Sequence, residues 1–193
     1  MGLMRQRDLQ HHTYADYLTW SAPFGNELID GTAYVGEPPA PSRVHQEFVG
    51  EIYRQVTNSL QGRRAHPYVA PFDVRLPKHS GADDQIDTVV QPDVVIVCDS
   101  HKLDDRGLNG APDWVAEVLS PSTAAYDRTI KLAVYERARV PEVWLVDPID
   151  RTVTIYRITA GYYTRPVELE LRGQTPLTAV PGISIDLDHL LAT

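Results

Sequence analysis

An α/β fold with a mixed β-sheet is the fold class that the 193-residue sequence predicts. The main observation is a strand–helix–strand pattern, in which apolar residues 114–119 and 143–146 flank a helical segment that ends near Ala138. Alternating apolar and polar residues at 152–157 indicate a further strand. A strand–helix–strand unit followed directly by another strand is typical of an α/β fold with a mixed sheet.

The N-terminal part is expected to contribute a short helix, a β-hairpin and a longer helix. A hydroxyl cap followed by an acidic residue predicts the short helix over 13–18. Residues 27–35 are predicted to form the hairpin, because an Asp-Gly pair separates two apolar stretches. Ser42 is expected to cap the longer helix and Gly62 to end it.

The middle of the chain is expected to hold two strands and a loop. The strands are predicted over 68–76 and 89–98, and residues 99–112 are predicted to form a long polar loop. Cys98 ends an apolar run, which indicates a buried thiol. The tail is predicted to be β-rich, with a closing helix over 186–191.

Length and composition predict one domain in a reducing cytoplasm. The single cysteine can form no internal disulfide, and no apolar run approaches the roughly 18 residues of a membrane-spanning helix. Residues 1–10 carry arginines without a following apolar stretch, so no secretory signal is expected. The net charge of −8 argues against a basic coat protein for nucleic acid. It is compatible with a nuclease, because a metal site requires carboxylates.

Two carboxylates interrupt apolar strands. Asp93 directly precedes Val94-Val95-Ile96-Val97, and Glu117 lies in the middle of residues 114–119. A buried charge without a partner costs several kcal/mol, so each carboxylate requires a cation or a position at a strand end. Carboxylates on neighbouring strands suit Mg²⁺, which prefers oxygen ligands. The alternative is that Asp93 caps a turn and Glu117 faces water.

The helix after the Glu117 strand supplies a candidate cation. Asp127, Lys131 and Tyr135 recur at i, i+4 and i+8 and therefore line one stripe of this helix. Lys131 lies at the edge of the apolar face, from which a long side chain can reach back to the sheet. From spacing alone, a surface lysine paired with Asp127 is the simpler interpretation.

These residues together resemble the Uma-type family of restriction endonucleases, within the PD-(D/E)XK nuclease superfamily. The resemblance extends from about Thr13 to Arg157. Its motifs are Gln91-Pro92-Asp93-Val94, Glu117-Val118-Leu119-Ser120-Pro121-Ser122-Thr123, Asp127, Lys131, Tyr135 and Trp144-Leu145-Val146-Asp147-Pro148, with Glu27-Leu28-Ile29-Asp30-Gly31, Pro41-Ser42 and His45 in the N-terminal half.

The resemblance implies a restriction-endonuclease-like core over about 13–157, within a single domain that spans 1–193. This core has a central mixed β-sheet flanked by helices, with an N-terminal helix and β-hairpin. Residues 158–193 are expected to form a β-rich C-terminal extension.

The resemblance also assigns roles within a site. Asp93 and Glu117 match the family's metal-binding carboxylates. The superfamily usually places a lysine two residues after the glutamate, where this chain has Leu119, and Lys131 matches a lysine that has moved to the helix. Glu27 matches a further family position and is an additional candidate.

His45 is the other additional candidate, and the chain departs from the family pattern at the end of the following helix. With Glu47 and Glu51 nearby, His45 also fits an exposed helical position. Arg139 stands where the family commonly has glycine, so the end of this helix is expected to close differently.

The implied function is hydrolysis of phosphodiester bonds in DNA by a metal-dependent endonuclease. Mg²⁺ or Mn²⁺ would be held by Asp93 and Glu117, and Lys131 would orient water or stabilise charge on the phosphate. A homodimer is expected by analogy with enzymes that cut two strands, and no membrane partner is expected.

A non-catalytic nucleic-acid-binding or assembly module that retains the nuclease fold is the alternative function. The acidic net charge favours this module, and the intact set of Asp93, Glu117 and Lys131 favours the enzyme. A different hydrolase has little support, because the sequence has no Gly-x-Ser-x-Gly elbow, Gly-rich phosphate loop or Cys/His zinc cluster. Helix capping explains Ser120 and Ser122 better than a nucleophilic role does.

Overall fold

The computed structural model describes residues 4–6, 8–20, 25–36, 41–78 and 82–191. The strands in this part of the chain are β1 (Met4–Gln6), β2 (Asn26–Ile29), β3 (Thr32–Gly36), β4 (His66–Val69), β5 (Val74–Arg75), β6 (Val89–Val90), β7 (Val94–Val97), β8 (Leu103–Asp104), β9 (Gly107–Asn109), β10 (Trp114–Val118), β11 (Glu142–Asp147), β12 (Thr152–Thr159), β13 (Tyr162–Tyr163), β14 (Val167–Glu170), β15 (Gln174–Pro176) and β16 (Ser184–Asp186). The α-helices are α1 (Tyr14–Tyr17), α2 (Arg43–Ser59), α3 (Ala124–Tyr126), α4 (Leu132–Arg137) and α5 (Leu187–Leu190).

The strands form a central sheet and a second sheet. The central sheet has the order β13-β12-β11-β10-β7-β4, and β14 also pairs with β12. Within it, β10 and β11 are parallel, whereas β7 and β12 run antiparallel to their neighbours, so the predicted mixed sheet is confirmed. The second sheet has the order β1-β3-β2-β6-β5-β9-β8 and was not predicted as a separate layer.

The central sheet separates two apolar cores. Because side chains alternate along a strand, Trp114 and Ala116 of β10 face the first core, in which α2 and the C-terminal elements pack. Val115, on the opposite face of β10, belongs to the second core, to which Tyr135 of α4 and Val90 of the second sheet also belong. Glu117 shares the face of Val115 and therefore points into the layer between the two sheets.

Several predicted elements are confirmed together with the local chemistry that predicted them. The carboxylate of Asp16 accepts a hydrogen bond from the backbone N–H of Thr13 at 2.8 Å and starts α1. Ser42 Oγ accepts from the backbone N–H of His45 at 3.2 Å and caps α2. Asp30, with a φ of 51°, forms the tight turn between β2 and β3 together with the glycine that follows it.

Two segments that were each predicted as one strand are divided between the sheets. Residues 68–76 contain the end of β4 in the central sheet and β5 in the second sheet. Residues 89–98 contain β6 in the second sheet and β7 in the central sheet. Pro92 has no N–H to donate to a ladder, and the chain crosses from one sheet to the other at this point. The crossover leaves Asp93 between the two sheets.

The predictions for residues 98–112 need two corrections. The segment 99–112 is not an unbroken loop, because it contains a 3₁₀ turn over Ser100–Lys102 and the antiparallel pair β8–β9. Cys98 is exposed, and the prediction of a buried thiol is wrong. Asp113 accepts a hydrogen bond from the Cys98 backbone N–H at 2.7 Å, just beyond the end of β7.

The helix after β10 ends in a Schellman motif built without glycine. Arg139 adopts a left-handed conformation, with a φ of 60°. Its N–H donates to the Glu136 carbonyl at 2.9 Å, and the Val140 N–H donates to the Tyr135 carbonyl at 2.9 Å. The helix therefore closes as it would with glycine, and the expectation that it closes differently is wrong.

Replacing Arg139 by glycine is expected to stabilise the protein by roughly 0.5–1 kcal/mol, because glycine adopts positive φ without a steric penalty. Urea unfolding of both proteins measures the difference. Ala133→Gly, at an exposed position near the start of α4, is the matched control, and it is expected to cost about 1 kcal/mol. Equal destabilisation by both glycines would contradict this explanation of the helix end.

Candidate functional site

Asp93 and Glu117 lie next to each other at the ends of neighbouring strands. The last antiparallel pair between β7 and β10 is Val94 with Ala116, so the next residues along each strand are Asp93 and Glu117. The backbone N–H of Val118 donates to Asp93 Oδ2 at 2.8 Å. The backbone N–H of Asp93 lies 3.4 Å from Glu117 Oε2. The carboxylate pair is therefore positioned by the backbones of both strands.

Lys131 brings its ammonium group to this carboxylate pair. Its Nζ lies 2.6 Å from Glu117 Oε1, 3.2 Å from Glu27 Oε1 and 3.9 Å from Asp127 Oδ1. Only 3% of the Lys131 side chain is exposed. The interpretation of Lys131 as a surface lysine is therefore wrong.

A π-helical turn over Asp127–Lys131 joins α3 to α4 and presents these side chains. The Leu132 N–H donates to the Asp127 carbonyl, five residues earlier, which widens the helix by one residue at this turn. The Tyr135 hydroxyl also donates to Glu117 Oε1. One oxygen of Glu117 is thus bound by two groups of the same helical segment, and this fixes the carboxylate.

Glu27, on β2, belongs to the same cluster. It is 1% exposed, and its Oε1 accepts a hydrogen bond from the Gln91 backbone N–H at 2.8 Å. The Gln91 side-chain amide in turn donates to Asp73 Oδ1 at 2.8 Å and to the Tyr17 hydroxyl at 3.0 Å. This network fixes Glu27 through the crossover between the two sheets. Sequence reasoning missed Tyr17 and Asp73, because no local signal marks contacts between such distant segments.

His45, in the first turn of α2, approaches the pair from another direction. Its Nε2 lies 3.3 Å from Asp93 Oδ2, and the residue is 6% exposed. The interpretation of His45 as an exposed helical residue is therefore wrong. The structure brings together all five residues singled out from the sequence, namely Glu27, His45, Asp93, Glu117 and Lys131.

The cluster holds more negative than positive charge. Burial raises the pKa of Glu117 to about 8, with Lys131 opposing this shift and neighbouring carboxylates adding to it. Burial likewise raises the pKa of Asp127 to about 6. Burial alone would lower the pKa of Lys131, but the surrounding carboxylates, led by Glu117, raise it well above its usual value. The ammonium therefore stays charged, and the excess negative charge favours uptake of a proton or a cation.

The stability of the metal-free protein is expected to fall as pH rises, because the folded state holds a proton on Glu117 more tightly than the unfolded chain does. This contribution is complete below the unfolded pKa of 4.5 and is lost as pH rises through about 8. Urea unfolding in chelator between pH about 5 and pH about 9 measures it. Glu117→Gln is expected to flatten the dependence, and parallel curves for the two proteins would contradict the assignment.

The donor set fits a divalent cation. Asp93 Oδ1 makes no hydrogen bond within the described residues, its side chain is 16% exposed, and Glu117 Oε2 has only the long contact from the Asp93 N–H. Hard cations such as Mg²⁺ prefer such carboxylate oxygens. No three His, Cys, Asp or Glu side chains in the described part form a preformed cage. The site therefore offers two carboxylates, and water or substrate would have to supply the remaining ligands of a bound ion.

No helix within the described ranges is both long and apolar enough to cross a membrane. A search of curated proteins found no match.

A crystal structure described as "a putative nuclease belonging to DUF820 from Anabaena variabilis ATCC 29413" matches with a TM-score of 0.72 and 18% sequence identity, over 93% of this chain and 97% of that chain. At this identity the likeness establishes a shared fold. The model of the Uma2 family, described as "Putative restriction endonuclease", matches residues 14–188, and the chain therefore belongs to the Uma2 family.

Proposed function

We propose that the protein is a metal-dependent endonuclease that hydrolyses phosphodiester bonds in DNA. The observation that carries this proposal is a buried lysine ammonium 2.6 Å from a strand-end glutamate that is itself paired with Asp93. Burial of a lysine among carboxylates costs desolvation free energy, and such buried charge clusters concentrate at functional sites. Membership of a family described as restriction endonucleases supports the same reaction class.

Asp93 and Glu117 are the residues that would hold Mg²⁺ or Mn²⁺. Such an ion supplies a Lewis acid for the phosphate and lowers the pKa of water. Glu117 can present Oε2 to a ligand because Tyr135 and Lys131 already bind its Oε1. Asp93 can present Oδ1 because the Val118 N–H and His45 contact its Oδ2.

Lys131 would act on the reacting phosphate or on the attacking water. Its ammonium lies beside Glu117 and Glu27, and a charged Lys131 would stabilise negative charge that develops on the phosphate. Lys131 on the helix can do the chemistry of a lysine on the strand, because its long side chain reaches Glu117 from the π-helical turn. Leu119 can therefore occupy the strand position without loss of the cation.

DNA is the proposed substrate although the chain carries a net charge of −8. A bound divalent ion would itself present positive charge to a phosphate and would offset much of the negative charge of the cluster. A homodimer would place two sites on the two strands of a duplex, and sedimentation with and without DNA tests this arrangement.

The test is cleavage of end-labelled duplex DNA, single-stranded DNA and RNA in Mg²⁺, in Mn²⁺ and in chelator. Internal cuts in DNA that require either ion are expected. Metal binding without cleavage of any substrate would contradict the enzyme and support a non-catalytic nucleic-acid-binding or assembly module. Cleavage of RNA alone would contradict the proposed substrate.

A further inference from the structure

The ammonium group of Lys131 bridges the two sheets. Glu117, on β10 of the central sheet, holds it at 2.6 Å, and Glu27, on β2 of the second sheet, holds it at 3.2 Å. These are the two acceptors within hydrogen-bond distance among the ion-pair partners of Lys131 in the described chain. Asp127 Oδ1, at 3.9 Å, contributes charge without a hydrogen bond.

Glu27 is a rigid acceptor that is separate from the Asp93–Glu117 pair. Its Oε1 is already bound by the Gln91 backbone N–H at 2.8 Å. Gln91 is bound in turn by Asp73, at 2.8 Å from the amide nitrogen. Because it is fixed in this way, Glu27 can keep its contact with the ammonium when another group in the cluster changes partner.

We propose that Glu27 is a positioning residue for Lys131, which keeps the ammonium in the site when Glu117 engages a metal ion. This inference rests on the proposed function. A divalent ion held by Glu117 would weaken the attraction of that carboxylate for Lys131 and would repel the ammonium. Without Glu27, Lys131 would then have no other short ion-pair contact to hold it in place, because Asp127 Oδ1 lies 3.9 Å away.

Nuclear magnetic resonance of the lysine ammonium groups tests this role directly. The chain has three lysines, namely Lys78, Lys102 and Lys131, so the spectrum is simple to assign. In metal-free Glu27→Gln, exchange of the Lys131 ammonium protons with water is expected to accelerate by about 10-fold, because the buried ion pair at 3.2 Å is lost. On addition of Mg²⁺, the Lys131 signal is expected to persist in the wild type and to disappear in this variant.

Asp127→Asn is the matched control, because it removes the same charge from the same buried cluster but leaves both short ion-pair contacts of Lys131 in place. It is expected to keep the Lys131 signal with and without Mg²⁺. Glu27→Asp retains the charge at a greater distance and is expected to show intermediate exchange. If Glu27→Gln exchanges as slowly as the wild type, or if Asp127→Asn exchanges as fast as Glu27→Gln, the positioning role is overturned.

Steady-state kinetics separates a positioning role from a merely structural one. Glu27→Gln is expected to lower kcat by about 10- to 100-fold with little change in KM for DNA, as is typical when a partner of a site residue is removed. An unchanged kcat would also overturn the role. If the wild type neither binds Mg²⁺ nor cleaves DNA, the proposed function fails, and the exchange rates in metal-free protein still decide whether Glu27 holds Lys131.

Discussion

Exchange of Asp93 for asparagine is expected to lower DNA cleavage by about 1,000-fold or more, because this change removes a charged metal ligand that supplies several kcal/mol of transition-state stabilisation. The fold is expected to survive. The asparagine carbonyl oxygen can still accept the hydrogen bond that Val118 donates to Asp93 at 2.8 Å. Single-turnover cleavage of labelled duplex in Mg²⁺ measures the effect.

Asp87→Asn is the matched control for this loss. Asp87 is also a partly buried aspartate in an ion pair, with Lys78 at 2.8 Å, but it has no contact with the Asp93–Glu117 pair. Its replacement is expected to leave cleavage within about twofold of the wild type, as for substitutions outside a site. A cleavage rate for Asp93→Asn that equals that of Asp87→Asn would remove Asp93 from the site.

Exchange of Lys131 for methionine is expected to destabilise the metal-free protein by about 3–5 kcal/mol, because it leaves buried carboxylates without their cation. Glu27, Glu117 and Asp127 would lose their shared partner. Saturating Mn²⁺ is expected to restore much of the loss, since an ion that binds only the folded state stabilises it. Urea unfolding with Mn²⁺ and with chelator measures both effects.

Lys78→Met is the control for Lys131→Met. Lys78 pairs with Asp30 and Asp87, each at 2.8 Å, but its side chain is 44% exposed. An exposed pair contributes at most about 1 kcal/mol, and no rescue by Mn²⁺ is expected at this position. If both variants lose equal stability, the buried ion pairs of Lys131 contribute no more to stability than the exposed pairs of Lys78.

Local signals in the sequence predicted the elements that carry the site. The hairpin of β2 and β3, the cap of α2 at Ser42 and the β10–helix–β11 unit each depend on nearby residues. Carboxylates within apolar strands indicated Asp93 and Glu117, and the resemblance to a known family then added Glu27 and His45 and favoured a site role for Lys131. The fold brings all five residues together. Spacing alone would have left Lys131 as a surface lysine, because nothing local reveals that Glu27 and Glu117 lie beside it.

The errors concern features that depend on distant contacts. The apolar run over 89–98 looks like one strand, yet pairing with β2 and β5 draws its start into the second sheet. Cys98 follows four buried residues, but its exposure depends on where the neighbouring strand begins. At Arg139 the sequence predicted a change that the structure does not show. The residue adopts the left-handed backbone that glycine usually provides at this position.

Binding of a divalent metal ion by Asp93 and Glu117 is the basis of the proposed nuclease activity. Isothermal titration of Mn²⁺ into the metal-free wild type and into the Asp93→Ala variant measures this binding. Saturable binding by the wild type and loss of that binding in the variant are the predicted results. Binding that Asp93→Ala leaves unchanged, or no binding by the wild type even with DNA present, would show that this carboxylate pair is not a metal site.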